Sequence, residues 1–200
     1  MPLQDFLPDY DVRELDEVFV AAPPAVAYVA ARRFDLARIW WIRALFAARE
    51  LPMRTFRRAA GDGARDGESE ALGIEAITRQ GTGFLLLEDR PPEEIVVGSI
   101  GKFWRPRIEF AAVPPERFAA FMEPGYGKLV WGYRIEPSGG GSRVALELRV
   151  TATDERSRRR FHRYWRVIGP FSHAIRRSAL AVVARDFEPG SGRTSPPAAP

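Results

Sequence analysis

Two histidines, a serine between glycines and a small set of aromatics facing one way are the residues of this chain that chemistry could use. His162 and His173 stand eleven residues apart, within about 20° on a helical wheel, which has the outline of a paired site. Both fall on an arginine-rich face, away from the apolar stripe of the same segment. No cysteine and no carboxylate at ligand spacing accompanies them, so neither a metal centre nor acid–base work inside a cavity is expected. Ser99, in Gly98-Ser99-Ile100-Gly101, brushes against the nucleophile-elbow pattern. That motif needs glycine where Val97 stands and a strand-to-helix turn where this strand runs on. No phosphate-cradling loop and no dinucleotide-binding glycine fingerprint occurs. The expectation is no catalytic residue and no cofactor.

The aromatics are more informative. Trp131 and Tyr133 alternate with Leu129 and Ile135 on one face of a strand, and Trp165 faces them from a helix. With Phe103, Ser99, Ile168 and Ser172 they make the candidate lining of a site for an apolar ligand. Such residues serve equally as plain core. Tyr and Trp add a polar handle that can orient a bound molecule.

What must position them is a long terminal helix, Asp154 to about Phe187. Phe161, Trp165, Ile168, Phe171, Ser172 and Ile175 fall on one stripe of it, continued by Ala179, Val182 and Val183. Arg159, Arg163, Arg166 and Arg177 fall on the other side. At 1.5 Å per residue it spans roughly 50 Å, so it must lie across several strands to bury the stripe. Pro170 lies opposite the stripe, where the loss of a helical hydrogen bond bends the axis toward a sheet. A broken helix can also flex to admit a ligand.

Ahead of that helix, Val12 to Val20 has strand character. Pro24 opens a short helix, Ala25 to Arg33, and Asp35 caps a second, Leu36 to Arg49, which carries Trp40 and Trp41. Residues 60 to 70 form a polar loop. Strands are expected over Leu72 to Thr78, Phe84 to Glu88, Glu94 to Phe103 and Arg105 to Val113, with a short helix over Pro114 to Met122. The clearest strands follow, around Leu129 to Ile135 and Val144 to Val150, joined through Pro137-Ser138-Gly139-Gly140-Gly141-Ser142. Their clean alternation predicts one buried and one wet face. The fold class expected is α+β: a curved antiparallel sheet of about seven strands, two short helices and a long C-terminal helix.

Composition narrows the partners. The chain has 200 residues, 46% hydrophobic and 28% charged, enough for one domain with its own core. The net charge is +4 and the pI near 9.8. Only Lys102 and Lys128 are lysines, and asparagine is absent. An arginine excess of that kind reads as coding bias rather than as a nucleic-acid surface, and the run Arg156 to Arg160 as a solvated helix face. No cysteine, no secretory signal and no apolar run of about 18 residues is visible, which fits a cytoplasmic protein with no transmembrane segment. Peripheral membrane contact through Trp40-Trp41, flanked by Arg38 and Arg43, stays open.

The element order and a few stretches carry a resemblance. Val97-Gly98-Ser99-Ile100-Gly101-Lys102-Phe103-Trp104-Arg105-Pro106, Glu123-Pro124-Gly125-Tyr126, Arg160-Phe161-His162-Arg163-Tyr164-Trp165 and Ile168-Gly169-Pro170 resemble bacterial members of the START-related (SRPBCC) helix-grip superfamily. That superfamily includes polyketide cyclases, pollen-allergen-like proteins and lipid-transfer domains. The resemblance spans residues 12 to 187 and leaves 1 to 11 as a loose arm and 188 to 200 as a disordered tail. It implies a fold and a cavity, with no shared catalytic motif. The expected function is non-catalytic binding of a hydrophobic small molecule, lipid-like or polycyclic. A cyclase- or dehydratase-type enzyme in the same cavity is the first alternative. A ligand-free module docking an acidic partner on the arginine face is the second.

Overall fold

The computed structural model describes residues 3–33, 73–79, 81–185 and 187. Five strands form one antiparallel sheet: β1 (Val12–Val20), β2 (Phe84–Arg90), β3 (Glu94–Gly101), β4 (Gly127–Ser138) and β5 (Gly141–Ala152), in the order β1-β5-β4-β3-β2. The helices are α1 (Leu3–Phe6), α2 (Pro24–Arg33), α3 (Ile74–Ile77) and the 31-residue α4 (Glu155–Arg185). This α+β arrangement, a single sheet with a long C-terminal helix laid on it, is compatible with a helix-grip fold. The expected helix over Leu36–Arg49, the 60–70 loop and the tail from Glu188 lie outside the described residues.

The strand count is five among the described residues, not seven. The run expected as a strand over Leu72–Thr78 is helical at its centre. The Gly73 carbonyl accepts from the amides of Ala76 (3.0 Å) and Ile77 (2.9 Å), and the Thr78 hydroxyl closes the turn on the Ile74 carbonyl (2.7 Å). Ile74 and Ile77 are three apart, a spacing that serves a helical turn, and in so short a run the two periods cannot be told apart. The segment Arg105–Val113 likewise makes no strand. It folds back on the end of β3, with one bridge between Gly101 and Phe110 and bonds from Lys102 N to Glu109 O (3.0 Å) and Ala111 N to Ile100 O (2.9 Å). The expected helix after Pro114 shrinks to one turn, Pro115–Arg117.

Neither face of the three inner strands β3, β4 and β5 is wet, contrary to the alternation argument, whereas β1 leaves Arg13, Leu15, Glu17 and Phe19 exposed on one face. On the inner face Val20, Ile95, Val97, Tyr133, Ile135, Val144 and Leu146 pack against α2 and the C-terminal half of α4. Leu148 and Val150 pack against Phe161 near the start of α4. On the outer face Val96, Ile100 and Val130 meet Leu3 and Leu7 from the arm, and Phe118 and Phe121 from the segment before β4. So residues 3–7 are seated rather than loose. Charged groups in this outer layer are buried with partners. Glu147 accepts from Arg13 Nε (2.7 Å) and Arg149 Nε (2.8 Å), and Arg149 reaches the Leu7 carbonyl (3.1 Å). The Lys128 ammonium donates to Ala119 O (2.7 Å), and its burial lowers its pKa. A strand whose outward residues are covered by irregular chain keeps the polar alternation of a solvated one, so pattern alone misreads it.

Helix α4 begins where the sequence predicts. The Asp154 side chain caps it, accepting from the amide (2.9 Å) and hydroxyl (2.7 Å) of Ser157, and also from Gly125 N (2.6 Å), which ties the cap to the entrance of β4. These bonds, the Ser157 hydroxyl foremost, hold the Asp154 carboxyl at a pKa of about 2. The unfolded value is ~3.9, so this stabilisation is complete above that pH and lost as pH falls toward the folded value. Asp154→Ala should cost about 1 kcal/mol near neutral pH. In denaturant titrations its deficit against wild type should shrink between about pH 4 and pH 2. A deficit independent of pH would show that the carboxylate is not what stabilises the helix.

Candidate functional site

Along β4 the odd-numbered residues face the helical layer, and two aromatics, Trp131 and Tyr133, sit side by side there. Tyr133 is buried, with its ring edge-on to Trp131 at 6.1 Å between centroids and 83° between planes. Trp131 is half-buried and joins both apolar clusters of the inner face, bridging the two ends of the helix. Trp165, half-buried on α4, packs on Phe161 at 5.3 Å and lies in the same cluster as Trp131, Leu129 and Tyr164. Tyr133 and Trp131 are thus in ring contact, while Trp165 packs on Phe161 in the neighbouring cluster that Trp131 also touches.

Tyr133 is the unusual member. Burial pushes its hydroxyl far above the ordinary tyrosine value, so the group is neutral and remains a donor. Among the described residues none hydrogen-bonds to that hydroxyl. A hydroxyl with no partner among the described residues keeps its donor available to a bound acceptor, while the fully buried side-chain atoms left without a partner lie elsewhere, at Arg32 Nε, Arg134 Nε and Glu147 Oε2.

The remaining candidates divide. Phe103 is buried and packs over Gly127, where an added Cβ would meet its ring at 3.1 Å. It closes the inner face at the end of β3 and β4. Ile168 is half-buried on the stripe between Trp165 and Ser172. Ser99 is fully buried, and its hydroxyl donates to Gly83 O (2.8 Å), tying down the turn before β2. The Ser172 hydroxyl accepts from Arg176 (2.9 Å). Both hydroxyls are thus held by the protein itself.

Arg176 was not anticipated. It is buried in the seam between α4 and β1, where Nε donates to Asp16 (2.9 Å) and Nη1 to Glu14. The signal was present. Glu14 and Asp16 share the inward parity of Val12, Val18 and Val20 on β1, and Arg176 lies within about 60° of Phe161 on the helical wheel. Two acids facing inward call for a cation on the opposing stripe. His162 and His173 are both exposed, but His173 stands at the rim of this knot, with Nδ1 3.6 Å from Asp16 Oδ1 and 3.4 Å from Arg176 Nη2. The inner face is therefore apolar along β3 to β5 and closed on the β1 side by an ion-paired cluster of one guanidinium and two carboxylates, with the Tyr133 hydroxyl on β4. Among the described residues no group of three or more His, Cys, Asp or Glu is placed to hold a metal ion.

No family model and no curated protein matches the sequence. Among solved structures the chain is similar to the Mll3558 protein from Rhizobium loti, with 14% identity, 86% of this chain and 96% of that one covered, and a TM-score of 0.32. It is similar also to CalU16 from Micromonospora echinospora, with 12% identity, 88% and 85% covered, and a TM-score of 0.29. A third is Ara h 8.0201, with 10% identity, 86% and 97% covered, and a TM-score of 0.27. Likeness of that degree says nothing about activity.

Proposed function

We propose that this chain is a member of the START-related helix-grip superfamily and that it binds a hydrophobic small molecule without transforming it, lipid-like or polycyclic, between α4 and the inner face of the sheet. The observation that supports the reading is Tyr133, a buried and neutral tyrosine whose hydroxyl has no hydrogen bond to a described residue, edge-on to the half-buried Trp131. An apolar body would remove surface of both indoles from water at roughly 25 cal/mol per Å². One acceptor atom on the ligand would satisfy the hydroxyl and fix its orientation. In this reading Phe103 and Ile168 would bound the ligand, and Ser99 and Ser172 would hold the walls through the bonds they make to Gly83 and Arg176. The same neutral hydroxyl could polarise a carbonyl, so a cyclase or dehydratase would use this geometry too. The carboxylates in the same cross-strand row, Asp16 and Asp89, are already held by Arg176 and by Tyr28 and Arg32.

Titration with a neutral polycyclic ketone, followed by tryptophan fluorescence, tests this. Wild type should bind, and Tyr133→Phe should bind about fivefold to tenfold more weakly at nearly unchanged stability, the value of one lost hydrogen bond. Equal affinity in the two proteins would remove Tyr133 from the site. Failure of both to bind any of a series of neutral apolar probes would remove the reading. Chemical conversion of the ketone would replace binding by catalysis.

A further inference from the structure

The outward face of α4 carries charge and apolar surface in an order that the buried side does not require. Arg156, Arg160, Arg163, Arg166 and Arg177 are all exposed, and among the described residues none of them has a carboxylate partner. The single acid in the first turn, Glu155, is taken by Arg158 (2.7 Å) and Arg159 (3.4 Å). Between Arg166 and Arg177 the same face turns apolar. Val167 is 64% and Phe171 43% exposed, with Pro170 and Ala174 exposed beside them. On a wheel Arg156, Arg163, Val167 and Ala174 share one line to within about 40°, so cations and apolar groups form one ridge.

We infer that this ridge docks on an anionic lipid surface, with Val167 and Phe171 entering the interface and the flanking arginines binding headgroup phosphates. An apolar centre flanked by cations is what a membrane-surface helix presents. A nucleic-acid duplex would reward the arginines but not exposed valine and phenylalanine between them. No helix among the described residues is long and apolar enough to cross a membrane, so the contact is peripheral. Because α4 turns its other side to the sheet, the ridge remains available whether or not the inner face is occupied. The inference therefore does not depend on the ligand-binding reading.

Co-sedimentation of the full chain with vesicles decides it. Vesicles of phosphatidylcholine with about one third phosphatidylserine should bind the protein, pure phosphatidylcholine should not, and raising salt should release it. Arg160→Ala with Arg163→Ala should weaken binding about thirtyfold. Val167→Ser with Phe171→Ser should also weaken it several-fold. All four positions are exposed, and unchanged thermal midpoints would confirm that the variants are folded. Binding that ignores the serine pair would overturn the insertion, and failure to bind the anionic vesicles would overturn the docking surface. Salt-sensitive binding to duplex DNA without vesicle binding would assign the face to a different partner.

Discussion

Arg176→Ala is expected to destabilise the chain by about 3–5 kcal/mol, the cost of removing one member of a buried ionic cluster and leaving its partners uncompensated. The guanidinium sits between Glu14 and Asp16 on β1 and also holds the Ser172 hydroxyl. Without it, two carboxylates with side chains only 23% and 15% exposed face each other under the helix. Among the described residues Glu14 has no other cation partner, and Asp16 has besides it the exposed His173 ring at 3.6 Å. Urea unfolding would show the loss as a lower midpoint at a similar slope. Arg176→Lys should recover only part of the difference, because an ammonium cannot make both directed contacts of the planar fork. The diagnostic protein is the triple variant Arg176→Met, Glu14→Gln, Asp16→Asn. If charge neutralisation is what matters, it should be clearly more stable than Arg176→Ala alone. A triple variant no better than the single one would mean that Arg176 acts through packing of its stem.

A second large effect separates two phenylalanines that stand on the same helix ten residues apart. Phe161→Ala should cost about 3–5 kcal/mol, since Phe161 is 1% exposed and wedged among Trp165, Tyr164 and the sheet residues Leu148 and Val150. Phe171→Ala should change stability by no more than about 0.5 kcal/mol, because that ring is 43% exposed. Thermal or denaturant midpoints on the two single variants suffice. Comparable losses would mean that the helix sits rotated about its axis. The inner and outer faces assigned here would then both be wrong.

That pair also shows where the sequence could and could not be read. Phe161 and Phe171 both satisfy a broad apolar stripe, but Phe171 lies about 80° from its centre, where a helix resting on a sheet still leaves a large side chain in water. The start of α4 was legible because a cap is local chemistry: Asp154 and Ser157 settle it between themselves. Strands β4 and β5 were legible because their alternation is long, and β3 because Ile95, Val96, Val97 and Ile100 follow a Pro-Pro turn signal. Parity on β4 puts Trp131 and Tyr133 on one face, and the helical wheel puts Trp165 on the apolar stripe of α4. The two further strands expected for a seven-stranded sheet failed for different reasons. In Gly73–Thr78 the run was too short for its period to decide, and Arg105–Val113 has strand composition but spends its hydrogen bonds at the end of β3. The outer core was invisible because the chain that covers it, Leu3, Leu7, Phe118 and Phe121, is remote in sequence and irregular. Arg176 escaped notice because its meaning lies in Glu14 and Asp16, some 160 positions away.

The central claim is that an apolar molecule occupies the space between α4 and the sheet at Tyr133. Native mass spectrometry of the protein purified gently from its own host tests that most directly. The account predicts an adduct that survives desalting, extracts into organic solvent, and is reduced or lost in Tyr133→Phe. A chain that always flies at its bare mass, and that also takes up no neutral apolar probe in solution, would contradict it.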